Sequence, residues 1–222
     1  MNLLEQQGNY FYFNIKFLFH IQNYKNSKMK KLIPFLLLVC ISTICLAQWT
    51  ADPVHSKVAF IVQHHGISEV DGYFKKYQAS LKFEKPDFSD AVFEVTVETA
   101  SVNTDFEPRD NHLRSEDIFN VEKFPTMTFT STSVKKKEKN EYLLTGNLTL
   151  RGVTKSINLD LFINGPVDNP NKNAKNRQIG VKVLGTIKRS DFGLGSKLIT
   201  AFVSDEIQMR VTGEFNKPVS GN

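Results

Sequence analysis

The chain has 222 residues, of which 28 are basic and 23 acidic, with two cysteines. Five of the basic residues and one acid fall in residues 1–47, so the rest carries 23 basic and 22 acidic side chains and is close to neutral. That balance excludes a nucleic-acid footprint, and because Cys40 and Cys45 both precede residue 48, it leaves the remainder without a disulfide, a thiol nucleophile or a cysteine metal site.

Residues 1–28 are rich in Asn, Phe, Tyr, Lys and Ile and show no period. They read as an upstream translation artefact, with Met29 as the true start. Met29-Lys30-Lys31 then precedes an apolar run from Leu32 to Leu46, and Cys45-Leu46-Ala47 offers small residues at both positions a signal peptidase reads. The run is too short to span a bilayer comfortably, so residues 29–47 read as a secretory signal peptide cleaved after Ala47. The expected product, residues 48–222, is one periplasmic or secreted barrel domain with no membrane span after processing. At that length one core can bury most of the surface.

From there, period-two alternation predicts eight strands. Val58, Phe60, Val62 and His64 share one face of the first, and Tyr77, Ala79, Leu81 and Phe83 one face of the second. Phe93, Val95 and Val97 mark the third, and a Thr/Ser-rich fourth runs from Thr126 to Val134. Leu144, Gly146, Leu148 and Leu150 mark the fifth, and Ile157, Leu159, Leu161 and Ile163 the sixth. Ile179, Val181, Val183 and Ile187 follow, and Ile207, Met209, Val211 and Phe215 close the chain. Asn140-Glu141 and Arg151-Gly152-Val153-Thr154 read as hairpin turns, and the Pro/Asn-rich stretch 164–177 as a longer loop. Phe106 to Phe119 breaks the pattern; with Pro108 near its start and Leu113, Ile118 and Phe119 at roughly helical spacing, it reads as one short helix. Eight half-apolar antiparallel strands can stack as a sandwich or close into a barrel. Strand length favours the barrel, and eight is the number at which a closed barrel has room for one ligand.

Chemistry-bearing constellations are sparse. Past residue 47 there are four histidines, His55, His64, His65 and His112. Neighbours on a strand face opposite ways, so His64 and His65 are not expected to share an ion, and no metal or other cofactor is expected. Gly193-Leu194-Gly195-Ser196 lacks the serine between glycines that a nucleophile elbow needs. No glycine-rich phosphate loop follows a strand. The most polar segment is Arg109 to Asp117. It solvates one helix face or, lying across a barrel end, presents Arg and His to an anionic head group.

Several segments occur in an order that resembles the YceI-like family of exported lipid-binding proteins, over nearly all of residues 49–215. They are His64 with Gly66, Val70, Gly72-Tyr73-Phe74, Ser101-Val102-Asn103-Thr104, Arg109 to Ser115, Phe124-Pro125-Thr126, Gly146-Asn147-Leu148-Thr149, Gly152-Val153-Thr154-Lys155 and Arg189-Ser190-Asp191-Phe192-Gly193. The resemblance departs at Ile118-Phe119, where family members often carry two aromatics. It implies a lipocalin-like, all-β, eight-stranded antiparallel barrel with one short helix. It also implies a long-chain apolar ligand, a polyisoprenoid, isoprenoid quinone or fatty-acid-like lipid, and it leaves a homodimer open. Catalysis is not expected. The alternatives are a lipid-modifying enzyme with His64 or His112 as base, or an envelope interaction module that holds no ligand.

Magnitudes divide the expected work. A buried methylene contributes about 0.8 kcal/mol gross, and one hydrogen bond to a charged group roughly 1.5–3 kcal/mol. The wall should therefore set affinity and polar groups orientation, with net binding reduced by ordering of the tail. The candidate wall is Val58, Phe60, Val62, Leu81, Phe83, Val95, Val97, Phe129, Leu148, Leu159, Leu161, Val181, Val183, Ile207, Met209 and Val211. The candidate head-group residues are His64, Arg109, His112 and Arg114.

Overall fold

Alternating side chains build a closed antiparallel barrel in the computed structural model, which describes residues 48–171 and 173–219. The artefact and signal-peptide readings of residues 1–47 lie outside the described residues. The strands are β1 (Trp49–Ala51), β2 (Lys57–His64), β3 (Ser68–Phe74), β4 (Tyr77–Lys82), β5 (Val92–Glu98), β6 (Val102–Asn103), β7 (Thr126–Glu138), β8 (Glu141–Leu150), β9 (Val153–Asp168), β10 (Asn176–Lys188) and β11 (Val203–Pro218), with one α-helix among the described residues, α1 (Glu107–Arg114).

Three of the barrel strands are broken once. β1 and β2 both run along β11, β1 pairing Ala51 with Phe215 and β2 pairing Val58 with Val211. β4 pairs with β1 and β3 with β2, while β5 pairs with β4 and β6 with β3. Counted as continuous strands, β1-β2, β3-β4, β5-β6 and β7 to β11 make eight, as the alternation predicts. The breaks have local causes. Asp52 Oδ1 accepts the Val54 N–H at 2.8 Å in an Asx turn. Ser101 accepts the Lys75 N–H at its carbonyl and the Lys76 N–H at its hydroxyl, both at 3.0 Å, which bends β3-β4 and β5-β6 together.

The structure corrects several boundaries. β3 was not legible as a strand because Gly72 occupies an inward position and interrupts the apolar alternation. β4 ends at Lys82, one residue before Phe83. The helix stops at Arg114, because the Ser115 N–H and hydroxyl both bond the His112 carbonyl, at 3.1 and 2.7 Å; Ile118 and Phe119 reach the core from the turns that follow. The long loop shrinks to residues 169–175, since the β9–β10 ladder bulges past Pro166 and resumes at Val167 and Asp168. The β7–β8 turn sits at Lys139-Asn140, and the β8–β9 turn at Arg151-Gly152, where φ of 50° and 75° gives the left-handed pair that hairpins favour.

The two barrel ends differ. At the base, Phe83 stacks on Trp49 at 5.7 Å between ring centroids and meets Phe88 edge-on at 4.7 Å; Phe88 in turn meets Tyr142 at 5.8 Å. These rings, with Leu81 and Leu161 fully buried, close the base. At the other end, residues 104–125 interrupt the wall between β6 and β7, and α1 fills that side.

Candidate functional site

Two apolar cavities occupy the lumen. The upper one, about 370 Å³, is lined on the strands by Val58, Phe60, Val62, Val70, Phe74, Met127, Ile187, Ile207, Met209 and Val211, and on the mouth side by Leu113, Ile118, Phe119, Leu194, Leu198 and Val203. The lower one, about 120 Å³, lies among Phe93, Val95, Val97, Phe129, Leu144, Leu148, Ile157, Leu159, Val181, Val183 and Phe215. Val58, Met127, Met209 and Val211 line both, so the cavities meet along the barrel axis. The upper volume alone falls in the range of small-molecule pockets, roughly 300–1,000 Å³.

Thirteen of the sixteen residues expected on the wall line one or both cavities. Leu81, Phe83 and Leu161 do not; they point inward but belong to the packed base. Alternation reports which face a residue takes, and depth along the axis is a separate coordinate that it does not carry.

The mouth of the upper cavity is polar and lacks acids. His64, Thr104, Arg109, His112 and Arg189 are its charged or hydrogen-bonding side chains, and no carboxylate lines it among the described residues. Arg109, His112 and Leu113 stand three and four apart on α1 and so share a face. Arg109 is oriented by Thr104: its Nε donates to the Thr104 hydroxyl at 2.7 Å and its Nη2 to the Thr104 carbonyl at 2.8 Å. The buried Asp110 carboxylate holds Thr104 in turn, accepting its N–H at 2.9 Å and its hydroxyl at 2.6 Å. Glu107 and Asp110 in the first turn, and His112 and Arg114 in the last, oppose the helix dipole favourably.

Arg114 takes another part. It lies with Glu107 and Asn111 on a second helix face, donating to the Glu107 carboxylate at 3.1 Å and the Asn111 amide oxygen at 2.9 Å. It also donates to the carbonyls of Ala100 at 3.1 Å and Val102 at 3.4 Å. Arg114 therefore pins α1 to β6 and lines neither cavity, a placement its five-residue offset from Arg109 on a helix already requires.

Arg189 was not anticipated. It is 6% exposed and donates to five carbonyls: Ser204 at 3.2 Å, Leu194 at 3.2 Å, Gly195 at 2.8 Å, Leu198 at 2.8 Å and Val203 at 3.4 Å. It thereby folds residues 194–203 over the mouth. Neighbouring contacts support that loop. Ser190 donates its N–H and hydroxyl to Asp205 at 2.9 and 2.7 Å, which lowers the Asp205 pKa from its ordinary value. The Gly195 N–H bonds the Asp117 carbonyl at 2.9 Å, and Arg151 donates to the Glu116 carbonyl at 2.8 Å and to that of Gly193. The sequence signal was an arginine at a strand end, ahead of Ser-Asp-Phe-Gly.

The histidines are arranged for packing. His65 lies in the turn after β2 with φ 53°, so strand alternation does not apply to it, and its ring stacks on His64 at 4.0 Å. Three residues at the break between β1 and β2, Asp52, His55 and Glu214, place ligand-type atoms within 4.8 Å of one another. Asp52 and His55 pair at 3.2 Å, their mutual hydrogen bond lowering the Asp52 pKa and raising that of His55.

Comparison with known proteins agrees with this geometry. Residues 49–215 match the YceI-like domain. Protein YceI of Salmonella arizonae is 41% identical over 160 residues, which cover 72% of this chain and 81% of that protein. The crystal structure of a Campylobacter jejuni YceI protein is 37% identical and superposes with a TM-score of 0.63 over 69% of this chain and 88% of its own. A polyisoprenoid binding domain from Saccharophagus degradans, 15% identical, shares the fold with a TM-score of 0.59 over 78% of this chain and 99% of its own. A domain match over more than half the chain, joined to 41% identity with a curated relative, makes the assignment: this chain belongs to the YceI-like family.

Proposed function

We propose that the protein is an exported carrier that holds one long apolar lipid in the barrel, a polyisoprenoid, isoprenoid quinone or fatty-acid-like chain, and catalyses no reaction on it. The observation that carries this reading is the pair of adjoining apolar cavities in the lumen, which share Val58, Met127, Met209 and Val211 in their walls, with aromatic rings closing the base and a mouth above that is acid-free among the described residues. The tail supplies the affinity by burial. Thr104 and Asp110 hold the Arg109 guanidinium where a polar head would sit, with His64 and His112 beside it. The Saccharophagus degradans neighbour, described as polyisoprenoid binding, supports the ligand class. An enzymatic base would need an orienting partner. The His64 ring instead stacks on His65, and neither His64 nor His112 makes a side-chain hydrogen bond among the described residues.

A fluorescent acyl probe, cis-parinaric acid, should bind saturably at one site per chain and be displaced by geranylgeraniol. Absence of saturable binding by both would overturn the carrier reading. Export is tested separately: protein recovered from the envelope fraction of its host should begin at Gln48, and a chain beginning at Met1 or Met29 would contradict it.

A further inference from the structure

The two cavities meet at a waist whose residues lie side by side across neighbouring strands. Gly185 pairs with Met209, Met209 with Phe60, and Phe60 with Gly72. Directly paired residues face the same side, so all four face the lumen. Leu159 on β9 lies against Gly185. Met209 lines both cavities, Phe60 the upper and Leu159 the lower.

At both glycines a large side chain occupies the place a Cβ would take. A Cβ on Gly72 would stand 2.2, 2.6 and 2.8 Å from three atoms of the Phe60 ring. A Cβ on Gly185 would stand 2.2 Å from Leu159 Cδ2. Neither glycine has a left-handed backbone, unlike Gly66, Gly152 or Gly193. The chain conformation therefore does not demand glycine at these positions, and what each contributes is the missing side chain. Phe60 and Leu159 lie down across these notches against the wall. A methyl group in either notch would lift the overlying side chain, and the open space available to it is the lumen.

We infer that Gly72 and Gly185 are specificity-determining residues that keep the waist open, so that a lipid tail can run from the upper cavity into the lower one. This inference rests on the carrier reading above. It explains why Gly72 breaks the alternation of β3: the residue is inward-facing, and its absent side chain makes room for Phe60. With the waist closed, a short chain still fits the upper cavity, whereas a long one loses burial of every methylene that would have passed below. Each of those is worth about fourfold in affinity.

The test is displacement of cis-parinaric acid by geraniol and by geranylgeraniol, which is twice as long, from wild type, Gly72→Ala, Gly185→Ala, Phe60→Leu and the double variant Gly72→Ala/Phe60→Leu. Gly72→Ala and Gly185→Ala should each weaken geranylgeraniol at least tenfold and leave geraniol within about twofold. Adding Phe60→Leu should restore the long chain; a merely structural role for the glycine would instead weaken geraniol and geranylgeraniol alike before that rescue. Should Gly72→Ala fail to fold, Phe60→Trp, which overfills the same notch from the other side, is expected to show the same loss confined to the long chain. Equal losses for both chains, no loss in either glycine variant, or no rescue by Phe60→Leu would overturn the inference while wild-type binding upheld the carrier reading. A wild type that binds neither chain would overturn both.

Discussion

Replacing Arg189 with alanine is expected to lower Tm by about 6–12 °C. The guanidinium is almost wholly buried and serves carbonyls from the 194–198 segment and from the start of β11. Hydrogen bonds to a charged donor are worth roughly 1.5–3 kcal/mol each in isolation, and they are not additive within one hub. A net loss on the order of 3 kcal/mol converts to that Tm shift for a domain of this size. Arg189→Lys should recover little, because an ammonium lacks the planar fork that reaches several carbonyls at once. Amide exchange should rise first at Leu198, Phe202 and Val203, whose N–H groups bond within the same loop, and a bound probe should dissociate faster through the loosened mouth. Differential scanning calorimetry gives the first result and hydrogen exchange the second. A Tm within about 2 °C of wild type would show that the loop is held by something other than Arg189.

A carboxylate placed in the wall gives the other large effect. Leu159 is buried, lines the lower cavity and lies over Gly185. In Leu159→Asp the new carboxyl has no basic side chain around that cavity to pair with. Burying the charge is costly, so the group takes a raised pKa and folds as the neutral acid where it can. The sign follows from linkage: a carboxyl whose folded pKa is raised destabilises most above that pKa, and the penalty shrinks as pH falls below it. Leu159→Asp should therefore lose probe binding and several kcal/mol of stability near neutrality, and regain part of both in mild acid. Leu159→Ala, which leaves a void instead of a charge, should cost about 2–5 kcal/mol without a pH dependence and should still bind the probe. Probe titration and thermal melts across pH measure both variants. Identical pH profiles for the two would remove Leu159 from the apolar wall.

Much of this architecture was readable because strands with one wet face write their orientation into every second residue. β7 to β11 are long, and despite local bulges most of their inward residues line the lumen as the alternation places them. What escaped was information that alternation does not hold. Gly72 hid β3 because a notch and a turn look alike in sequence. Leu81, Phe83 and Leu161 carry the right orientation at the wrong depth. Arg109 and His112 fell on the mouth as their helical spacing implies, and the same spacing sends Arg114 to the docking face. Arg189 was invisible as a hub because its partners are backbone carbonyls, which have no sequence signature. The mouth-side residues Leu194, Leu198 and Val203 depend on that hub and were missed with it.

The central claim is that a lipid occupies the lumen. It is tested most directly by native mass spectrometry of protein purified without detergent from the envelope of its own host. The expected spectrum carries one added mass per chain, released under denaturing conditions and identified as a prenyl or acyl lipid, and that mass is absent from Leu159→Asp prepared in parallel. Wild-type protein at the bare polypeptide mass, with no lipid in its organic extract, would contradict the account.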